Sequence, residues 1–169
     1  MSKLPATILI IRHGEKTADR TNPHLSAAGQ ARARMLAKRL PALYPNICAL
    51  FATARSKDSD RPCETIKPLA KKLGLKIDDS FAAGQYPQLV AHILRNIGAY
   101  HGKTVLICWH HEKIPAMTRR DFGQAFAPTT WADDAFDQIW RIDWQSRAKS
   151  IFYLGRQPSV RAKRTKRTG

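Results

Sequence analysis

The sequence predicts a single α/β domain whose largely parallel sheet is covered by helices on both faces. Three short apolar runs, 6–11, 47–51 and 104–108, have the length and composition of strands buried on both sides. Stretches with apolar residues at helical spacing separate them, and this alternation of strand and helix is what a parallel sheet requires. Neither an internal repeat nor a Pro-rich or Ser-rich linker divides the chain.

The elements follow in order. After the first strand, Ser26 is placed to cap a helix with Ala33, Leu36, Leu40 and Leu43 on one face and Gln30, Arg34 and Lys38 on the other, closed by Pro41 and Pro45. Turn residues bound the second strand. Ile66, Leu69, Ala70 and Leu73 then mark a helix ending at Gly74, with Pro68 expected to bend it or delay its start. Pro87 opens a third helix carrying Val90, Ile93, Leu94 and Ile97, and Gly98 stops it. Beyond the third buried strand, Trp140, Ile142 and Trp144 alternate with charged residues, and 150–154 reads as a partner strand, so the two predict a hairpin at a sheet edge.

Composition bounds the class. The chain has 169 residues, 43% of them hydrophobic, enough for one domain with a real core. No run approaches the roughly 18 apolar residues that span a bilayer. The first apolar segment runs into Arg12 without a small-residue cleavage site, so it reads as a strand and not a signal peptide, and a cytoplasmic location is expected. Cys48, Cys63 and Cys108 form no CxxC pair and are expected as reduced, mostly buried thiols. The formal net charge is +16, and removing the five cationic residues Arg161, Lys163, Arg164, Lys166 and Arg167 leaves +11 on the rest. Residues 1–158 are therefore read as the domain and 159–169 as a basic, disordered tail. A positive field of this size concentrates anionic ligands and favours nonspecific nucleic-acid contact through the tail.

Chemistry concentrates at the strand ends. Arg12-His13-Gly14-Glu15 follows the first strand and Trp109-His110-His111-Glu112 follows the third, so two strands of one parallel sheet deliver histidines to the same edge. That carboxyl edge is where open α/β sheets hold ligands. Arg61 stands just ahead of the helix after the second strand, near its positive end. Imidazole is an uncharged nucleophile near neutral pH, and guanidinium forks match phosphate oxygens. The combination suits phosphoryl transfer, where catalysis is mostly positioning and electrostatic stabilisation. No acidic cluster with metal-ligand spacing is visible in the sequence, so the simpler expectation is a site without metal or cofactor.

Taken together, Ile11-Arg12-His13-Gly14-Glu15, Leu25-Ser26-Ala27-Ala28-Gly29, Arg61-Pro62-Cys63-Glu64-Thr65 and the strand-then-histidine segment ending at His111 resemble the histidine phosphatase superfamily, also called the phosphoglycerate mutase-like family. The resemblance spans roughly residues 6 to 115 and points to its small phosphatase branch. It implies a three-layer α/β/α sandwich and a phosphohistidine intermediate. By motif, His13 would be the nucleophile, with Arg12, Arg61 and His111 completing the phosphate pocket and Glu15 at the substrate side.

Three departures from the family pattern matter. His110-His111 leaves the register of the second histidine open by one, and the pattern Trp-x-His-x-x-Ile-Pro selects His111. The approach to Arg61 is long, which makes Arg55 the fallback. Where many relatives carry a glutamate acid, this chain offers Gln85, so Glu15, Glu112, Asp133, Asp134 and Asp137 are the remaining candidates for a proton donor. The short connection from the third helix to the third strand leaves little room for a large cap, which favours an open pocket and a phosphatase over a mutase. The resulting expectation is a metal-independent phosphatase acting on a small phosphorylated metabolite or on protein phosphohistidine. The alternatives are a noncatalytic phosphate-binding member of the same fold and a basic RNA-associated protein. No membrane partner is expected.

Overall fold

The computed structural model describes residues 4–159. The expected tail, 159–169, lies outside the described residues apart from Ser159. Six strands form one sheet in the order β3-β2-β4-β1-β5-β6. They are β1 (Ala6–Arg12), β2 (Ile47–Ala52), β3 (Ile77–Asp78), β4 (Thr104–Trp109), β5 (Gln138–Trp144) and β6 (Ile151–Arg156). The first four run parallel, β5 pairs antiparallel with β1, and β6 pairs antiparallel with β5 at the edge.

Three long helices connect them: α1 (Ala27–Leu43), α2 (Arg61–Leu73) and α3 (Tyr86–Arg95). Alternation along β1 sorts its side chains to two cores. Leu9 and Ile11 meet α1 and α2 through Leu36, Leu40, Ile66 and Leu69. Ile8 and Ile10 face the opposite layer, where Leu89, Val90 and Ile93 of α3 pack with Trp109, Met117 and Trp140. The helices thus cover both faces and the three-layer α/β/α sandwich is what the chain forms. No helix among the described residues is long and apolar enough to cross a membrane.

The predicted elements meet three corrections, the first at α3, which ends at Arg95, while Ile97 and Gly98 lie in a separate 3-10 turn, Ile97–Tyr100. Pro41 does not close α1, which continues through it to Leu43. Proline lacks an N–H and clashes with the preceding turn, but here only the final turn is affected. Pro68 does not delay α2, which starts seven residues earlier at Arg61 with Pro62 in its first turn, where a missing N–H is harmless. Gly74 ends it in the left-handed region at φ 66°. The Ser26 cap is present, its hydroxyl accepting from the Gly29 amide at 3.1 Å. The three thiols are free, with Cys63 and Cys108 buried and Cys48 partly so.

Candidate active site

The hydrogen-bond ladder between β1 and β4 pairs Arg12 with Trp109. The next residue on each strand is a histidine, so His13 and His110 leave the sheet side by side. The His13 amide donates to Trp109 O at 3.2 Å, and the two imidazoles meet edge to face with centroids 5.5 Å apart.

Four sequence motifs lock around this point. The Gly14 amide donates to Thr65 Oγ1 at 2.8 Å, and that hydroxyl donates to Arg61 O one turn back at 2.7 Å. Glu15 O accepts from both the amide and the hydroxyl of Ser26, at 2.9 and 3.0 Å. Gly14 and Gly29 allow the chains to approach: a Cβ on Gly29 would lie 2.5 Å from Glu15 O, and one on Gly14 would lie 3.0 Å from the Gly29 Cα. Glu64 receives the Leu25 amide at 2.9 Å and faces His24 Nδ1 at 2.6 Å. The strand end, the start of α1 and the start of α2 are thereby fastened to one another.

His13 is 1% exposed, and its Nδ1 lies 2.7 Å from Gly14 O. A carbonyl only accepts, so Nδ1 carries the proton and Nε2 carries the lone pair. Nε2 is buried with no hydrogen-bond partner. Burial, reinforced by His110, Arg12 and Arg61, pushes the His13 pKa down to about 2 against the opposing Gly14 bond. The imidazole is therefore neutral at any ordinary pH. Burial also holds His110 below its usual value, Glu112 opposing and Arg61 and Lys16 reinforcing.

Beside this floor opens a cleft of about 580 Å³ whose lining includes Arg12, Arg61, Lys16, Arg20, His111 and Asp133. Arg12 reaches it over the Phe136 ring, 3.9 Å from the centroid, and donates to Asp133 O at 2.6 Å. Burial lowers its pKa to about 10, with Asp133 and Glu112 opposing, so it stays charged. Arg61 donates to Asn22 O at 2.7 Å and to Asp58 O at 3.3 Å. The Nε atoms of both arginines are buried and unpaired. The fallback Arg55 lies outside the cleft lining and stands 3.6 Å from Asp79.

Sequence reasoning selected His111 as the pocket histidine. The structure brings both histidines to the site: His110 packs edge to face on the His13 ring, while His111 lines the cleft. His111 Nε2 is 2.7 Å from Asp133 Oδ1 and its Nδ1 is 3.2 Å from Glu112 Oε2. Glu15 also lines the cleft, but both of its oxygens accept from Arg32, at 2.6 to 3.1 Å, and Arg32 continues to Gln157. Gln85 is exposed and outside the lining, its Oε1 accepting from the Ala82 amide. Asp137 pairs with Arg156 at 2.8 Å.

Lys16, Arg20 and Phe136 were not singled out from the sequence. They belong to the connections between β1 and α1 and between β4 and β5, whose paths only tertiary packing determines. Among the described residues, His24, Asp60 and Glu64 bring potential metal-ligand atoms within 4.8 Å of one another, outside the cleft.

No protein-family model matches the sequence, and a search of curated proteins found no match. Solved structures do match. A mycobacterial glucosyl-3-phosphoglycerate phosphatase with inorganic phosphate superposes with a TM-score of 0.64 at 14% identity, over 92% of this chain and 98% of the other. The protein histidine phosphatase SixA complexed with tungstate gives 0.60 at 13% identity, over 89% and 96%. An Entamoeba histolytica phosphoserine phosphatase variant with phosphoserine gives 0.56 at 11% identity, over 91% and 97%. These likenesses show that the chain shares the fold of these solved phosphatases.

Proposed function

We propose that the protein is a phosphatase working through a phosphohistidine at His13. One observation carries the reading: a neutral, buried imidazole whose lone-pair nitrogen has no partner stands beside a cleft walled by two arginines. In the first step His13 Nε2 forms the N–P bond as the bond from phosphorus to the leaving oxygen breaks. In the second, water attacks phosphorus and the N–P bond breaks, releasing phosphate. Arg12 and Arg61 stabilise charge on the equatorial oxygens, which is where such transfer needs donors. His110, in contact with the His13 ring, takes the inner share of this work, and His111 stands on the leaving-group side.

Structural neighbours named as phosphatases of glucosyl-3-phosphoglycerate, phosphohistidine and phosphoserine support the reaction class. The substrate is a small phosphorylated metabolite or a protein phosphohistidine, and the guanidinium groups do the electrostatic work without a metal. The test is labelling with a phosphodonor in the presence of chelator. Acid-labile, base-stable phosphate on the wild type, absent from His13→Ala together with turnover of p-nitrophenyl phosphate, is the expected result. Wild-type turnover in His13→Ala would reject the mechanism.

A further inference from the structure

In-line displacement fixes where a proton donor must stand. His13 is 1% exposed and attacks from the floor, so the leaving oxygen points away from it, toward the open side of the cleft. The carboxylates considered from the sequence are poorly placed for that job. Glu15 is held by Arg32 through both oxygens, Asp137 is paired with Arg156, and Glu112 and Asp133 are engaged by the two ring nitrogens of His111. His111 lines the cleft, its side chain 14% exposed against an Asp133 side chain that is 96% exposed, and an imidazole can pass a proton to a leaving oxygen.

Acidic groups flank its ring. Nε2 faces Asp133 Oδ1 at 2.7 Å and Nδ1 faces Glu112 Oε2 at 3.2 Å, so a carboxylate stands at each nitrogen. An imidazolium offers both N–H groups, whereas either neutral tautomer leaves one carboxylate facing a lone pair. Nδ1 is buried and makes no aligned hydrogen bond.

We propose that His111 is the catalytic acid for the leaving group, that Asp133 and Glu112 are its positioning residues, and that the substrates are phosphomonoesters of alkyl alcohols. This rests on the phosphohistidine reading. As the P–O bond breaks, its electron pair goes to the leaving oxygen, which replaces Asp133 Oδ1 at Nε2 of His111, takes that proton and departs as an alcohol. The ring is left neutral, with its remaining proton on Nδ1. In the second half, attacking water gives one proton to Nε2, restoring the imidazolium, while its oxygen bonds to phosphorus and His13 Nε2 recovers its electron pair.

The experiment compares kcat/KM for glycerol 3-phosphate, an alkyl ester, with that for p-nitrophenyl phosphate, whose leaving group needs no proton. His111→Ala is expected to lose about 10²- to 10⁴-fold on the alkyl ester, the range for general acid catalysis, and less than about tenfold on the aryl ester. Asp133→Asn should lose less, with the loss again confined to the alkyl ester. Equal losses on both esters, no loss on either, or a wild type inert toward alkyl phosphates would overturn the proposal. Failure of the underlying reading is separately visible, because His13→Ala would then keep its aryl phosphatase activity.

Discussion

Gly14 and Thr65, fifty-one positions apart, share a 2.8 Å hydrogen bond in which the backbone amide after the nucleophile donates to the threonine hydroxyl. Because the same hydroxyl donates to Arg61 O, one side chain joins the strand carrying His13 to the helix carrying Arg61. Thr65 is fully buried, so Thr65→Val keeps the shape and leaves the Gly14 amide without its acceptor. The expected result is destabilisation by about 1–3 kcal/mol, measured by urea denaturation. A loss in kcat/KM should accompany it as the nucleophile and the arginine lose their common anchor.

Gly29 offers a sharper packing test. In an ordinary helix interior, glycine to alanine stabilises by about 1 kcal/mol. Here a Cβ would press within 2.5 Å of Glu15 O, a backbone atom that accepts two bonds from Ser26. Gly29→Ala should therefore destabilise, by about 1–3 kcal/mol, the usual range for overpacking. Thermal denaturation gives the sign directly, and a raised melting temperature would refute the close approach.

Arg61 is expected to act on the transition state. Arg61→Ala should lower kcat/KM by about 10²- to 10³-fold, as loss of one preorganised donor does. Arg55→Ala, whose side chain pairs with Asp79 outside the cleft, should leave turnover within about twofold of wild type, the scale of a surface change under 0.5 kcal/mol. Parallel steady-state kinetics on the two variants decide between the arginines.

The depressed pKa of His13 ties stability to pH. Its ordinary value of 6.5 falls to about 2 in the fold, so between those limits the unfolded chain binds a proton that the native ring refuses. Stability is thus lost as pH drops from 6.5 toward 2. His13→Ala removes this contribution, and its melting temperature should fall less steeply than that of wild type between pH 7 and pH 4. Parallel curves for the two proteins would contradict the assignment.

Glu15 and Arg32 form the ion pair that fastens α1 to the nucleophile strand, and Arg32 extends it to Gln157 beyond β6. Glu15→Gln leaves a buried guanidinium with weaker acceptors. A loss of about 1.5–3 kcal/mol is expected by denaturant titration, the value of a hydrogen bond to a charged group. Activity per folded molecule should change little, because both glutamate oxygens are taken up by Arg32.

What the sequence discloses follows from the range of the interactions involved. Strands β1, β2 and β4 are legible because residues buried on both faces write an unbroken apolar run, and the hairpin of β5 and β6 because Trp140, Ile142 and Trp144 alternate. The two-residue β3 has too few residues for any period. Pro41 misleads because a local propensity is outweighed by Leu36 and Leu40 packed beneath the sheet. At the site, strand-end placement brings His13, Arg12 and the histidine pair together, since each directly follows or ends a legible strand. Which of His110 and His111 packs on the His13 ring is not legible, because a register within consecutive histidines is decided by how the chain turns after Trp109. Nor is the wall holding Asp133 and Phe136, which reaches the cleft through Arg12 and a connection without regular period.

The nucleophile and its neighbouring imidazole are set by the ladder that pairs Arg12 with Trp109, while Lys16, Arg20, Asp133 and Phe136 come from connecting segments on either side. These two groups of residues are free to change at different rates over evolutionary time. Insertions or replacements in 16–24 or 122–137 would reshape what approaches phosphorus without displacing His13. A lineage carrying this scaffold can thus exchange one phosphorylated substrate for another through drift in its loops, while a single shift in β1 or β4 would extinguish the chemistry at once.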